Sequence, residues 1–402
     1  MGANGKQMRA GIHTVDLTPD QRITVTLKIH CLNILDHSAG ALWTFDLEGR
    51  LVGMYVDGVN YRRTLDNRFF AKSRERIHGE TFRSVYPITR EAAARLLSRA
   101  RSLLMKVESL LPEETGEATG RILRTDMDLL EASGREFSRI YLPISILPPD
   151  QYLSLVLQIT EGCNYNRCLH CNFYRDRPFR IKPLQEIDKH FSDVRRFFGR
   201  GLKLRRSVFL GDANALVIPQ EKLVPILKRV GHSFPELSRI YSFIDLFTGI
   251  KKSSDNFSHL RELGVKRVYL GVESGNPGLL TLLQKPQPIA NVIELCRRIK
   301  AGGINLGLIF LAGAGGRLTH EEHLRDSVEL IEKIPLDRGD MVYVSEFYET
   351  NPDYRSALRK LGYPLPGRME LREMASEFKR VVKKVVSSHV AVPIYDIRQF
   401  LY

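Results

Sequence analysis

The chain has 402 residues, of which 43% are hydrophobic and 26% charged, and its formal net charge is +14. This length can bury a large core and allows two or three domains, or one barrel with additions. No run approaches the roughly eighteen apolar residues of a membrane span, and residues 1–10 lack the apolar core of a signal peptide. We therefore expect a cytoplasmic protein with no membrane span.

Residues 1–148 are predicted to form an α+β accessory domain. Three strand-like runs joined by glycine-containing turns cover residues 41–46, 51–56 and 59–64. Asp57-Gly58, between the last two runs, is a strong signal for a tight hairpin. Leucines at helical spacing between Thr89 and Pro112 predict a helix, with Thr89 as its N-cap.

In residues 149–354, six short apolar runs alternate with amphipathic helical patterns. The predicted strands cover residues 153–159, 207–210, 239–244, 267–271, 305–311 and 341–347. Strands that are each followed by a helix favour parallel β/α units, in which functional residues lie at the carboxyl ends of the strands. Residues 319–322 (Thr-His-Glu-Glu) predict a capping box at the last of these helices. Residues 355–402 are predicted to form a helical C-terminal extension with an aromatic tail.

Three of the five cysteines lie within nine residues, directly after the first of these six strands, as Cys163, Cys168 and Cys171. Thiolates this close together can bind one soft metal centre, and cysteine thiolates hold iron–sulfur clusters. Three ligands on a [4Fe–4S] cluster leave the fourth iron open, much as a catalytic zinc keeps an open position. Two alternatives stay open at this point: a structural zinc site completed by His170, and three thiols without a shared role.

The stretch from about Tyr152 to about Tyr354 resembles the radical S-adenosylmethionine (radical SAM) superfamily. The usual motif of that family is C-x3-C-x2-C, and the extra residue here is a departure, although C-x4 spacing also occurs. Three further segments resemble the ends of the second, fourth and fifth strands of the family's barrel: residues 208–216, 267–275 and 308–313.

The resemblance implies an α/β fold in which residues 149–354 form a partial six-unit (β/α) radical SAM barrel. It further implies that a [4Fe–4S] cluster and S-adenosylmethionine are the cofactors. A one-electron reductase such as flavodoxin or ferredoxin would be a partner. Reductive cleavage of S-adenosylmethionine would yield a 5′-deoxyadenosyl radical, which abstracts hydrogen from a substrate.

The resemblance also assigns roles to individual residues. Cys163, Cys168 and Cys171 would hold the cluster. Seven residues would bind the cofactor S-adenosylmethionine, namely His170, Gly211, Asp212, Ala213, Glu273, Ser274 and Gly313. Residues 211–213 stand where the family usually has a Gly-Gly-Glu-like stretch, and this departure leaves capping of the next turn as an alternative role for Asp212.

Two acidic residues at strand ends, Asp245 and Glu346, are the catalytic candidates, expected to contact substrate or relay protons. His320 and His323 form an H-x-x-H pair, for which we expect capping and surface roles. Outside the triplet only Cys31 and Cys296 remain, too few for a second cluster with cysteine ligands.

The sequence does not name the substrate, which we expect to be a small molecule, a lipid or a peptide. Eleven basic against four acidic side chains over residues 175–206 favour an alternative, an RNA-modifying radical SAM enzyme. A third possibility is a non-catalytic, zinc-stabilised nucleic-acid-binding protein.

Overall fold

The structure, a computed structural model, describes residues 10–77 and 79–402. Its N-terminal sheet is an eight-stranded antiparallel meander in which every strand pairs with the next along the chain. The strands are β1 (Gly11–Thr18), β2 (Gln21–Leu27), β3 (Leu32–Asp36), β4 (Ala41–Phe45), β5 (Leu51–Val56), β6 (Val59–Arg63), β7 (Phe69–Ile77) and β8 (Glu80–Pro87). The three predicted strands are confirmed as β4, β5 and β6, while the sequence analysis did not identify the other five.

Three helices follow this sheet: α1 (Arg90–Val107), α2 (Glu113–Arg124) and α3 (Met127–Ile140). The predicted N-cap of α1 is confirmed, because the Thr89 side chain accepts a hydrogen bond from the Ala92 amide. Alternate strand residues such as Ile34 and Trp43 are fully buried in a core that they share with Leu97 and Leu104 of α1. Because side chains alternate between the two faces of a strand, the apolar ones lie on one face of the meander, where α1 packs against them.

The second large sheet has seven strands, all parallel. In spatial order they are β9 (Leu155–Gln158), β12 (Val208–Gly211), β13 (Ile240–Ile244), β14 (Val265–Glu273), β15 (Asn305–Ala312), β16 (Met341–Glu346) and β17 (Ile394–Tyr395). A short antiparallel pair, β10 (Thr160–Glu161) and β11 (Arg180–Ile181), lies between β9 and β12 in the chain. All six predicted barrel strands are confirmed, and β17 adds a seventh from the C-terminal segment.

Helices connect these strands and cover the sheet. They are α4 (Leu184–Phe198), α5 (Gln220–Ser233), α6 (Leu246–Gly249), α7 (Ser254–Glu262), α8 (Pro277–Leu282), α9 (Ile289–Ala301), α10 (His320–Glu332), α11 (Pro352–Lys360) and α12 (Arg368–Val385). The predicted capping box at Thr319 is wrong. Thr319 ends a 3-10 turn with ψ near 0°, so its side chain makes no cap hydrogen bond. A capping box forms instead between Ser253 and Asn256, at the start of α7.

The three predicted segments of the chain are joined by shared contacts. Phe137, Tyr141 and Leu147, which precede residue 148, belong to the hydrophobic core of the parallel sheet. The C-terminal Tyr402 donates its hydroxyl to the Ser154 carbonyl at 2.9 Å, and its own carbonyl accepts from the Leu65 amide at 2.9 Å. The tail thus connects the N-terminal sheet to the segment just before the first barrel strand. The predicted domain boundaries at residues 148 and 354 stay a proposal.

Within the part of the chain that the structure describes, none of the helices has the length and apolarity needed to cross a membrane.

Candidate functional site

A cavity lies at the carboxyl ends of the parallel strands, where β/α folds carry their functional residues. Most of the residues singled out from the sequence line it, namely Cys163, Cys168, Cys171, His170, Ala213, Asp245, Glu273 and Glu346. The others, Gly211, Asp212, Ser274 and Gly313, do not line it. The fold therefore brings together side chains that are up to 183 positions apart in the sequence.

The cysteine loop is fixed at both ends. β10 and β11 pair antiparallel and close the loop that carries the three thiols. At the entry, Gly162 has a φ of +72°, and a Cβ there would lie 2.8 Å from the Pro178 carbonyl oxygen, so only glycine fits. Within the loop, the Arg175 guanidinium donates to the carbonyls of Cys168 at 3.0 Å and Cys171 at 3.1 Å.

The donor set in the cavity fits a three-cysteine cluster. Burial raises the pKa of the Cys168 thiol to about 12 and that of Cys171 to about 11, so binding of a metal centre would release their protons. Past the thiols the cavity continues along polar groups that have no partner, among them the buried His170 Nδ1 and Asn214 Oδ1. These groups can serve a ligand bound beside the cluster.

His170 was the fourth ligand in the zinc alternative. Its Nδ1 is buried, and burial lowers the pKa of its imidazole to about 4, so the ring is neutral. Among the described residues, no three His, Cys, Asp or Glu side chains are grouped closely enough to hold a single metal ion. The three thiols are therefore not spaced for one zinc ion, whereas a [4Fe–4S] cluster would take each of them at a separate iron.

Gly211 and Asp212 connect the end of β12 to the start of the cysteine loop. The Asp212 carboxylate accepts hydrogen bonds from the Gln158 side chain at 2.9 Å and the Gly162 amide at 3.0 Å. Arg177 lies 3.4 Å from the same carboxylate. Burial raises the pKa of Asp212, although these partners oppose the rise. The structure places this carboxylate behind the loop, and the next residue, Ala213, reaches the cavity.

Glu273 ends β14 and forms an ion pair with a lysine that the sequence analysis missed. Lys285 Nζ lies 2.6 Å from Glu273 Oε1 and donates to the Gly271 carbonyl at 2.7 Å. The two side chains are only 12% and 10% exposed. Burial lowers the pKa of Lys285, but Glu273, Cys168 and Asp245 together outweigh burial and hold it above the usual value. No motif marks Lys285, which lies in the segment between α8 and α9.

Ser274, next along the chain, faces away from the cavity. Its hydroxyl bonds His323 Nδ1 at 2.7 Å, while His323 Nε2 lies 3.0 Å from the Leu311 carbonyl. Since a carbonyl only accepts, Nε2 carries the proton and Nδ1 accepts from Ser274. His323 is fully buried and His320 is only 9% exposed, so the expected surface role was wrong for both residues. Gly313 packs against α12, where a Cβ would lie 2.3 Å from Leu371 Cδ2.

Asp245 is the N-cap of α6 and also holds the cysteine loop. One carboxylate oxygen accepts from the Thr248 amide at 2.8 Å, and the other accepts from the Asn164 side chain at 2.7 Å. Asn164 directly follows Cys163, so this contact links the end of β13 to the first thiol. Asn214, which donates to the Thr248 hydroxyl at 3.0 Å, completes this polar wall of the cavity.

Glu346 stands on a different wall, at the end of β16. It is buried, and one carboxylate oxygen accepts from Arg398 of the C-terminal tail at 2.7 Å. Arg398 also bonds the Asp396 carboxylate at 2.7 Å. Burial, and then the charge of Asp396, raises the pKa of Glu346 to about 7. The cavity therefore contains a carboxyl group that can take up or release a proton near neutral pH.

Several cations of the basic stretch over residues 175–206 form ion pairs. Its pairs include Arg180–Glu161, Lys189–Asp193, Arg195–Glu236, Arg196–Asp193 and Arg200–Glu117. A carboxylate beside a cation reduces its attraction for phosphate. These pairs weaken the case for RNA as a partner.

Comparison with known proteins finds a family match in the middle of the chain. Residues 157–331 match the model of the radical SAM superfamily. A 218-residue stretch is 24% identical to 4′-phospho-dehydrooxetanocin synthase of Priestia megaterium, covering 49% of this chain and 28% of that protein. The chain thus matches little more than a quarter of that curated relative.

Similar solved structures include coproporphyrinogen III oxidase of Escherichia coli, with a TM-score of 0.42 and 17% identity over 58% of this chain and 52% of that one. Methylornithine synthase gives a TM-score of 0.39 and 15% identity over 60% and 70% of the two chains. The methyltransferase TsrM of Kitasatospora setae, with cobalamin and a [4Fe–4S] cluster bound, gives 0.38 and 18% over 50% and 40%.

The matched residues contain the cysteine loop and the ends of five of the parallel strands that surround the cavity. Radical SAM enzymes bind a [4Fe–4S] cluster and S-adenosylmethionine, and the cavity offers the three thiols that such a cluster needs. Residues 157–331 of this chain are therefore a radical SAM domain.

Proposed function

We propose that this enzyme cleaves S-adenosylmethionine reductively and abstracts a hydrogen atom from a small organic substrate bound in the same cavity. The proposal is based on one observation. A single cavity has three cysteine thiols on one wall and a buried carboxyl group, Glu346, on another. When bound, the cluster supplies the electron that breaks the S–C5′ bond, and a one-electron reductant must deliver it.

The residues of the chain then have separable tasks. Cys163, Cys168 and Cys171 hold the cluster, and Asp245 keeps the loop in place through Asn164. The Glu273 carboxylate and the unpartnered side-chain oxygen of Asn214 (Oδ1) can accept hydrogen bonds from the amino and hydroxyl groups of S-adenosylmethionine. Gly211, Asp212, Ser274 and Gly313 would act on the cofactor only through the backbone segments that they hold.

Beside Glu346 the cavity also carries large apolar side chains. Its lining includes Phe243, Phe247, Ile309 and Phe347, which exclude water from the reacting groups. Glu346, paired with Arg398, can hold a polar group of the substrate or move a proton to it. A small molecule suits this partly enclosed space better than a polymer or a lipid chain.

The test is anaerobic reconstitution with iron and sulfide, followed by reduction and addition of S-adenosylmethionine. Wild-type protein should form 5′-deoxyadenosine, slowly when substrate is absent. Cys163→Ala should form none, and Cys296→Ala, which changes a buried thiol outside the cavity, should match wild type. Equal product from wild type and Cys163→Ala would contradict the proposal.

A further inference from the structure

A second cavity separates the open face of the N-terminal sheet from the C-terminal tail. Its volume is about 520 Å³, inside the range of about 300–1000 Å³ that is typical of small-molecule pockets. The wall contributed by the sheet carries four cations, Arg62, Lys72, Arg74 and Arg83. We refer to it as the cationic cavity, and it shares only the side chain of Tyr395 with the cluster cavity.

The register of the sheet places these four side chains on one face. Lys72 and Arg74 are two positions apart on β7, and Arg74 pairs directly with Arg83 of β8. Lys72 pairs with Asn60 of β6, and Arg62 is two positions further along that strand. Because side chains alternate between the faces of a strand, all four point toward the same side.

This arrangement is electrostatically unfavourable without a ligand. Like charges directly opposite each other in a sheet destabilise it, and Arg74 faces Arg83. Burial, and then the charges of Arg62, Arg83 and Arg74, lower the pKa of Lys72 to about 8. Burial lowers the pKa of Arg62 to about 10. The charges around Lys72 that shift its pKa are all positive, so its surroundings offer it no compensating anion.

Carboxylates near these four cations are engaged with other partners. None of the four cations forms an ion pair with a carboxylate in the described part of the chain. The acidic residue in the lining of the cavity is Asp396, and one of its carboxylate oxygens accepts from both the backbone amide and the guanidinium of Arg398. Neighbouring acids of the same hairpin are also engaged, since Glu75 pairs with Arg372 and Glu80 with Lys379.

We propose that the cationic cavity binds the phosphate group of a small molecule. Arginine guanidinium groups present two parallel N–H donors that match phosphate oxygens, and a lysine adds a point charge. A bound dianion would offset the repulsion between Arg74 and Arg83. The volume of the cavity suits a phosphorylated metabolite or free phosphate. The site goes beyond the proposed function, because it lies outside the cluster cavity.

Binding is tested with the full-length chain by calorimetric titration of two probes, inorganic phosphate and ribose 5-phosphate. Both should bind, and each should raise the melting temperature. Arg83→Gln and Lys72→Gln should each weaken binding by about tenfold or more, as expected for loss of a hydrogen bond to a charged group. Arg297→Gln, an exposed arginine of α9 that does not line the cavity, should leave binding unchanged.

The two probes distinguish the sources of the phosphate. Tighter binding of ribose 5-phosphate identifies a phosphate ester as the ligand, and equal affinities identify the phosphate group alone. In the absence of either probe, Arg83→Gln should melt at the same or a higher temperature than wild type, since it removes repulsion. Absence of binding by wild type at millimolar concentrations, or equal affinity in the wild type and Lys72→Gln, would overturn the proposal.

Discussion

Replacement of Lys285 by methionine would test the ion pair that positions Glu273 beside the cysteine loop. Methionine keeps most of the apolar stem of the lysine and removes the charge that lies 2.6 Å from Glu273 and 2.7 Å from the Gly271 carbonyl. The Glu273 carboxylate, only 10% exposed, then loses its cation. Both the stability of the domain and its affinity for S-adenosylmethionine should fall.

The size of the stability change follows from burial. Removing one partner of a buried ion pair costs about 3–5 kcal/mol, because the other charge is left uncompensated. For a chain of this length the corresponding fall in melting temperature is about 4–6 °C. The double variant Glu273→Gln/Lys285→Met removes both charges, so it should be less destabilised than the two single losses added together.

The assay is thermal unfolding of the cluster-free protein, followed by binding of S-adenosylmethionine to the reconstituted protein. Lys300→Met is the matched control, because Lys300 is equally buried and bonds Asp337 at 2.7 Å and Asp340 at 2.6 Å. That control should lose stability and keep its affinity for S-adenosylmethionine. If the two single effects on stability simply add in the double variant, the reasoning about Glu273 and Lys285 is refuted.

Three further predictions concern the carboxyl groups and the domain organisation. The pKa of Glu346 is about 7 in the folded protein and about 4.3 in the unfolded chain. Protonated Glu346 therefore stabilises the fold fully below about pH 4.3, and this stabilisation is lost as the pH rises through about 7. The unfolding free energy of wild type relative to Glu346→Gln should therefore fall by on the order of 3 kcal/mol between about pH 4.5 and 8, and a constant difference in urea titrations would contradict the assignment. Asp212→Asn should lose iron to a chelator about tenfold faster than wild type, because Asp212 holds the Gly162 amide, whereas exposed Asp16→Asn should not. A chain starting at Met127 should retain iron and one starting at Asp150 should not, since Phe137 and Tyr141 belong to the barrel core; equal iron contents would favour a boundary at residue 148.

The barrel strands could be predicted because each is a short apolar run bounded by turns, and parallel strands are buried on both faces. The other five N-terminal strands were harder, because β1 and β7 carry many polar and charged residues and gain their structure from antiparallel neighbours. β17 has two residues and forms only by pairing with β16, a contact between segments far apart in the chain.

For the site, residues at strand ends were found because chemistry in β/α folds gathers there. Lys285 and Arg398 were missed, since each acquires its partner only when distant segments meet. Side-chain direction was also beyond the sequence. Asp212 and Ala213 are adjacent, yet one faces Gln158 behind the loop and the other faces the cavity.

The central claim is that three cysteines hold a [4Fe–4S] cluster whose fourth iron is free to bind S-adenosylmethionine. Electron paramagnetic resonance of the reduced, anaerobically reconstituted protein tests it most directly, together with iron analysis. We expect about four irons per chain and a paramagnetic resonance signal that changes when S-adenosylmethionine is added. The signal should be lost in Cys163→Ala, Cys168→Ala and Cys171→Ala but not in Cys31→Ala. One zinc per chain, or a cluster signal that S-adenosylmethionine leaves unchanged, would contradict it.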